Sequence, residues 1–83
     1  LEQNYPNPFN PSTTIHFDVA SNSNITLQVV DITGRLVQTL VNEVKTPGSY
    51  TVSWNASNMA SGMYLLRMQT SSGVLTQKMT LIK

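Results

Sequence analysis

A chain of 83 residues with a net charge of +1 and no cysteine is expected to form one small domain without disulfides or a thiolate site, burying about 60–65% of its unfolded surface. Charged residues are 11% of the chain, whereas Ser, Thr, Asn and Gln number 32, so the surface is polar but carries no field suited to nucleic acid or anionic lipid. The longest apolar run, Met63 to Leu66, is too short to cross a bilayer as a helix.

The chain opens on its least ordinary stretch, Asn4-Tyr5-Pro6-Asn7-Pro8-Phe9-Asn10-Pro11, which holds three of its four prolines. Proline fixes φ and pushes the preceding residue out of the helical region, so Tyr5, Asn7 and Asn10 are steered extended and no helix can begin here. Such a segment loses little entropy on docking, and is expected to lie as a clasp across a small core with Tyr5 and Phe9 in pockets. At a sheet edge, where missing N–H groups do no harm, it could add a seventh strand.

Thr14 to Val19 alternate strictly and place Ile15, Phe17 and Val19 on one face of a first strand. After the turn cluster Ser21 to Asn24, Ile25, Leu27 and Val29 alternate in a second. Asp31-Ile32-Thr33-Gly34-Arg35 predicts a tight hairpin, with Gly34 supplying a positive φ, and Leu36 to Val41 return as the third. Asn42 to Thr46 are polar, and Thr46-Pro47-Gly48-Ser49 fits a type II turn.

Tyr50, Val52 and Trp54 alternate in a fourth strand, followed by the longest loop, Asn55 to Gly62, where Asn55 and Ser57 could cap one turn. Met63 to Thr70 make a fifth strand, Ser71 to Gly73 a hairpin turn, and Val74 to Ile82 a sixth. Short strands separated by turn chemistry predict an all-β fold: an immunoglobulin-like antiparallel β-sandwich of six to seven short strands. Leu1 stands in the middle of ordinary sequence, so the chain reads as a module cut from a longer protein.

Residues that could carry chemistry are few. His16 and Asp18 share the outward face of the first strand, but a metal site would need further ligands, and Glu2, Asp31 and Glu43 stand at no recognisable spacing. A hydrolytic triad would need a buried acid and oxyanion donors, and no nucleophile elbow occurs. The pair is therefore read as solvated surface. Sugar binding would need a row of exposed rings, yet Phe17, Tyr50, Trp54 and Tyr64 keep step with core residues. Asn24-Ile25-Thr26 and Asn55-Ala56-Ser57 match the glycosylation acceptor pattern, as expected by chance in so Asn-rich a chain.

Taken together, Pro6-Asn7-Pro8-Phe9-Asn10-Pro11 before an alternating strand, Asp31 to Arg35 in a hairpin, Gly62-Met63-Tyr64 opening a strand, and Lys78 to Lys83 at the end resemble the type A C-terminal sorting domain of the bacterial type IX secretion system. The likeness covers essentially residues 1–83. It departs at Met59, where the family favours leucine. The resemblance implies a small immunoglobulin-like sandwich that folds in the periplasm and addresses its parent protein to an outer-membrane translocon, for secretion or display at the cell surface. A sortase-like cysteine peptidase would then cut upstream, before Leu1, so that the chain is a substrate and not an enzyme. Carried over by position, the signal motifs fall on Pro6, Asn7, Pro8, Phe9, Asn10 and Pro11, on Gly62 and Tyr64, and on the basic pair Lys78 and Lys83. No cofactor, metal, nucleic acid or small-molecule substrate is implied.

On the residues themselves, the last strand offers an edge that a receptor could read by strand addition or by its end, that could pair with a second copy, or that the lysines simply guard against aggregation. Two other readings stay open. One is an accessory carbohydrate-binding or spacer module of an extracellular glycoside hydrolase. The other is a structural domain resembling that of the flagellar hook-cap protein.

Overall fold

The computed structural model of the chain describes Leu1 and residues 3–82. Six strands follow in order: β1 (Ser12–Val19), β2 (Ser23–Asp31), β3 (Leu36–Lys45), β4 (Gly48–Asn55), β5 (Gly62–Thr70) and β6 (Gly73–Leu81). They form two antiparallel sheets, β1-β4 and β3-β2-β5-β6. That partition is the B-E and C′-C-F-G division of an immunoglobulin-like sandwich. The predicted fold class holds, at the lower end of its strand count.

Alternation does the building. Ile15, Phe17 and Val19 of β1, Ile25, Leu27 and Val29 of β2, Tyr64, Leu66 and Met68 of β5, and Met79 and Leu81 of β6 all point between the sheets and are buried there with Trp54. Phe17 stacks on Tyr50 with ring centroids 5.5 Å apart, which brings the half-buried Tyr50 onto the core as its parity predicts. The Asn55–Gly62 loop carries no helix; Asn55 Oδ1 accepts from the Ser57 N–H at 2.9 Å, the local cap its sequence suggests.

Three expectations are corrected. The third strand continues to Lys45 instead of ending at Val41, because an edge strand exposed along much of its length needs no apolar alternation beyond that point. Two register shifts also drop Val37 and Leu40 out of the pairing with β2, and both pack against the core. Gly48 does not occupy the third place of a type II turn, which asks for φ near about +80°; with φ +153° it already begins β4. The proline segment adds no seventh strand. It makes isolated bridges, Tyr5 with Thr14 and Phe9 with Leu81, and bends at residues 6–8 and 10–11 instead of running extended.

The β2–β3 hairpin turns as predicted, on Gly34 at φ +89°. Asp31 holds it: one carboxylate oxygen accepts from the Thr33 hydroxyl at 2.6 Å and from the backbone N–H groups of Thr33 and Arg35 at 2.9 and 3.0 Å. The Thr33 hydroxyl first, and then the Arg35 amide, hold this carboxyl below the ordinary carboxylate range. A carboxyl with a lowered folded pKa stabilises fully above its unfolded value, about 3.9, and loses that contribution as pH falls through the folded value. Wild type should therefore melt above Asp31→Asn at neutral pH, the gap closing as pH falls below the ordinary carboxylate range. A gap that does not change with pH in thermal melts would show that the charge of Asp31 is not what holds the turn.

Candidate functional site

The proline clasp and the last strand, far apart in sequence, are one structure. Phe9 is fully buried, its ring centroid 5.5 Å from that of Trp54. Its N–H donates to Thr80 O at 2.9 Å, and its carbonyl accepts from Ile82 N at 3.0 Å. Asn7 Oδ1 accepts from Thr80 N at 3.0 Å, and Gln3 Nε2 donates to Lys78 O at 3.2 Å. The side of β6 that a partner strand would need is thus taken, from Lys78 to Ile82, by the chain's own beginning.

The same segment also grips the other sheet. Tyr5 and Thr14 exchange both backbone bonds at 3.0 and 2.9 Å. The buried Asn4 donates to Thr13 Oγ1 at 2.9 Å and to Pro6 O at 3.2 Å, while the Thr13 hydroxyl donates to Pro6 O at 2.9 Å. Pro11 O accepts from Ala56 N at 2.9 Å, tying the end of the clasp to the start of the long loop. The clasp therefore switches layers midway, antiparallel to β1 through Tyr5 and parallel to β6 through Phe9. The peptide bonds before Pro6, Pro8 and Pro11 are cis.

Half of the docking expectation is corrected here. Phe9 finds its pocket, but the Tyr5 side chain is 81% exposed, and this residue is held by its backbone alone. The expectation of an accessible last edge is corrected as well. Alternation places Val74 and Thr76 on the same side of β6 as Thr80 and Ile82, and only that first half is uncovered among the described residues.

The second motif is a corner. Gly62 takes φ +148° where β5 begins, a conformation that a side chain rarely allows. Two residues on, Tyr64 is buried edge-on against Trp54, with centroids 5.5 Å apart. Its hydroxyl donates to Ala60 O at 2.6 Å. A tyrosine at the start of this strand bonding back to the preceding loop is the tyrosine corner of immunoglobulin-like sandwiches. Its ring position was legible from parity with Leu66 and Met68; the hydroxyl's partner was not. Met59, the departure from the family pattern, is half-buried against the same core.

Of the basic pair, Lys78 is exposed on β6, and Lys83 lies outside the described residues. His16 and Asp18 sit where the alternation puts them, on the outward face of β1, the first half-buried and the second exposed, with Nε2 and Oδ1 4.0 Å apart, and His16 Nδ1 lies 3.2 Å from Thr51 Oγ1. Phe9, Phe17, Trp54 and Tyr64 all turn their faces inward, so the rings that might have formed a sugar platform build the core instead. At the opposite end of the sandwich a recess of about 170 Å³ lies among Leu1, Val19, Ile25, Met68 and Leu75, an aliphatic floor with no ring to stack on.

Compared with known proteins, residues 3–83 match the family model described as "Secretion system C-terminal sorting domain". Neither the curated proteins nor the solved structures yield a match.

Proposed function

Because the chain belongs to the family of secretion system C-terminal sorting domains, the signals of type IX secretion, we propose that it works as a passive, folded label. A parent protein bearing it is secreted or held at the cell surface, and the label engages the secretion machinery. In our reading the parent crosses the periplasm, the sandwich folds there, and an outer-membrane translocon recognises it. A sortase-like cysteine peptidase then separates it from the cargo. The chain itself performs no catalysis.

We assign Pro6, Asn7, Pro8, Phe9, Asn10 and Pro11, with Gly62 and Tyr64, to building the label, since each works through the clasp or the corner. Lys78 and Lys83 are assigned to its display. The observation that carries the reading is a family match that begins at the clasp and runs through the last strand, two segments that the fold joins.

The test is a fluorescent protein directed to the periplasm and fused ahead of Leu1, in a host that has the type IX machinery. Fluorescence is expected outside the cell, or on its surface, and only while the machinery is intact. A reporter that stays in the periplasm with a folded domain would refute the assignment.

A further inference from the structure

The outer face of the four-stranded sheet carries an unbalanced pattern. Leu36, Val30, Leu65 and Lys78 stand directly opposite one another on β3, β2, β5 and β6. The adjacent row is Thr39, Gln28, Arg67 and Thr76, and on the other side Met63 faces Thr80. Alternation turns Val30 away from the core, yet it is only 8% exposed, so its neighbours close over it. Leu36 and Met63 beside it are 54 and 45% exposed. Val30, Leu36, Leu65 and Met63 thus form an apolar cluster at this end of the outer face, with Val44 and Val74 exposed singly at the other.

Arg67 and Lys78 are the charges of these rows, and neither makes an ion pair among the described residues. The described carboxylates are engaged elsewhere: Asp18 beside His16 on β1, Asp31 inside its hairpin, and Glu43 2.7 Å from Lys45. An apolar centre whose rows carry only cations, the Asp31 carboxylate beside them being taken up by its own hairpin, complements a surface that is apolar at its centre and acidic at its rim.

We propose that this face, and not the β6 edge, is what the secretion machinery reads: it docks a protein partner that presents an apolar patch bordered by carboxylates. The inference rests on the sorting-signal reading and adds which part of the body is recognised. A bilayer is a poorer fit, since two cations contribute only about 1 kcal/mol each at an anionic surface and a flat strand row has no protruding apolar element to insert. The clasp supports the choice of face over edge, because it occupies the last strand from Lys78 to Ile82.

The experiment compares export of the reporter fusion for wild type, for Arg67→Gln/Lys78→Gln, and for the control Ser12→Glu/Ser53→Glu, which shifts the charge equally on exposed positions of the two-stranded sheet. Thermal melts establish that all three are folded. The face variant is expected to lower the exported fraction about tenfold, the worth of two partner-facing charges, with the control near wild type. Equal export of the face variant and wild type overturns the inference, as does a control that fails as badly, which would point to net charge. Failure of wild type itself refutes the sorting reading instead. Flotation with phosphatidylglycerol vesicles is the last arm: wild type floating with them while the face variant does not would make the occupant a membrane and overturn the inference.

Discussion

Replacing Trp54 by alanine should lower the free energy of unfolding by about 3 to 5 kcal/mol, the usual range for deleting a buried aromatic ring. Trp54 is almost wholly buried and sits at the junction of both motifs: Phe9 from the clasp and Tyr64 from the corner each lie 5.5 Å from it. Its indole N–H donates to Gln38 Oε1 at 3.1 Å, so truncation also leaves that amide without its donor. A domain of this size has a total stability of roughly 4 to 12 kcal/mol, so the loss is a large share of the whole. Urea unfolding followed by far-ultraviolet circular dichroism measures the effect. A loss under about 1 kcal/mol would mean that the ring does not hold the two layers together.

Deleting Val74 to Lys83 should be worse. It removes β6, and with it Met79 and Leu81 from the core and the acceptor and donor row on which the clasp rests. Phe9 would lose both backbone partners, and nothing in the three strands left of that sheet replaces the lost one. The truncated chain should lose its cooperative thermal transition and its export together. A truncated domain with an unaltered, cooperative β spectrum would show that the last strand is an appendage, carrying the signal without carrying the fold.

How far the sequence speaks depends on which force sets each feature. Where burial sets it, alternation reads directly: Ile15, Phe17, Leu27, Leu66 and Met79 are all where their parity puts them. Hairpin chemistry is equally open, as Asp31 and Gly34 show. β3 is harder because it is an edge, where Asn42, Glu43 and Val44 need not alternate, and because its bulges shift parity at Val37 and Leu40. The clasp is hardest. Its proline spacing announces stiffness, but Tyr5 and Phe9 look alike in sequence, and only the fold decides that one is solvated and the other in the core. That an asparagine side chain at position 7 would serve as the partner of a backbone amide 73 residues away leaves no local trace.

That long-range bond bears on why two remote segments both belong to one signal. The clasp completes the last strand, and the last strand seats the clasp. Under this account the sorting motif is a property of the closed body, and its proline, glycine and tyrosine positions matter because they close it.

Backbone amide exchange along β6 tests this most directly. The N–H groups of Thr80 and Ile82, bonded to Asn7 Oδ1 and Phe9 O, should exchange as slowly as the buried ladder amides of β2. Those of Val74 and Thr76, on the uncovered half of the same edge, should exchange fast, and Asn7→Ala should release Thr80 before Ile82. Equal, rapid exchange at all four amides would contradict it: the clasp would then not be seated on the last strand, and the two ends of the chain would not form one unit.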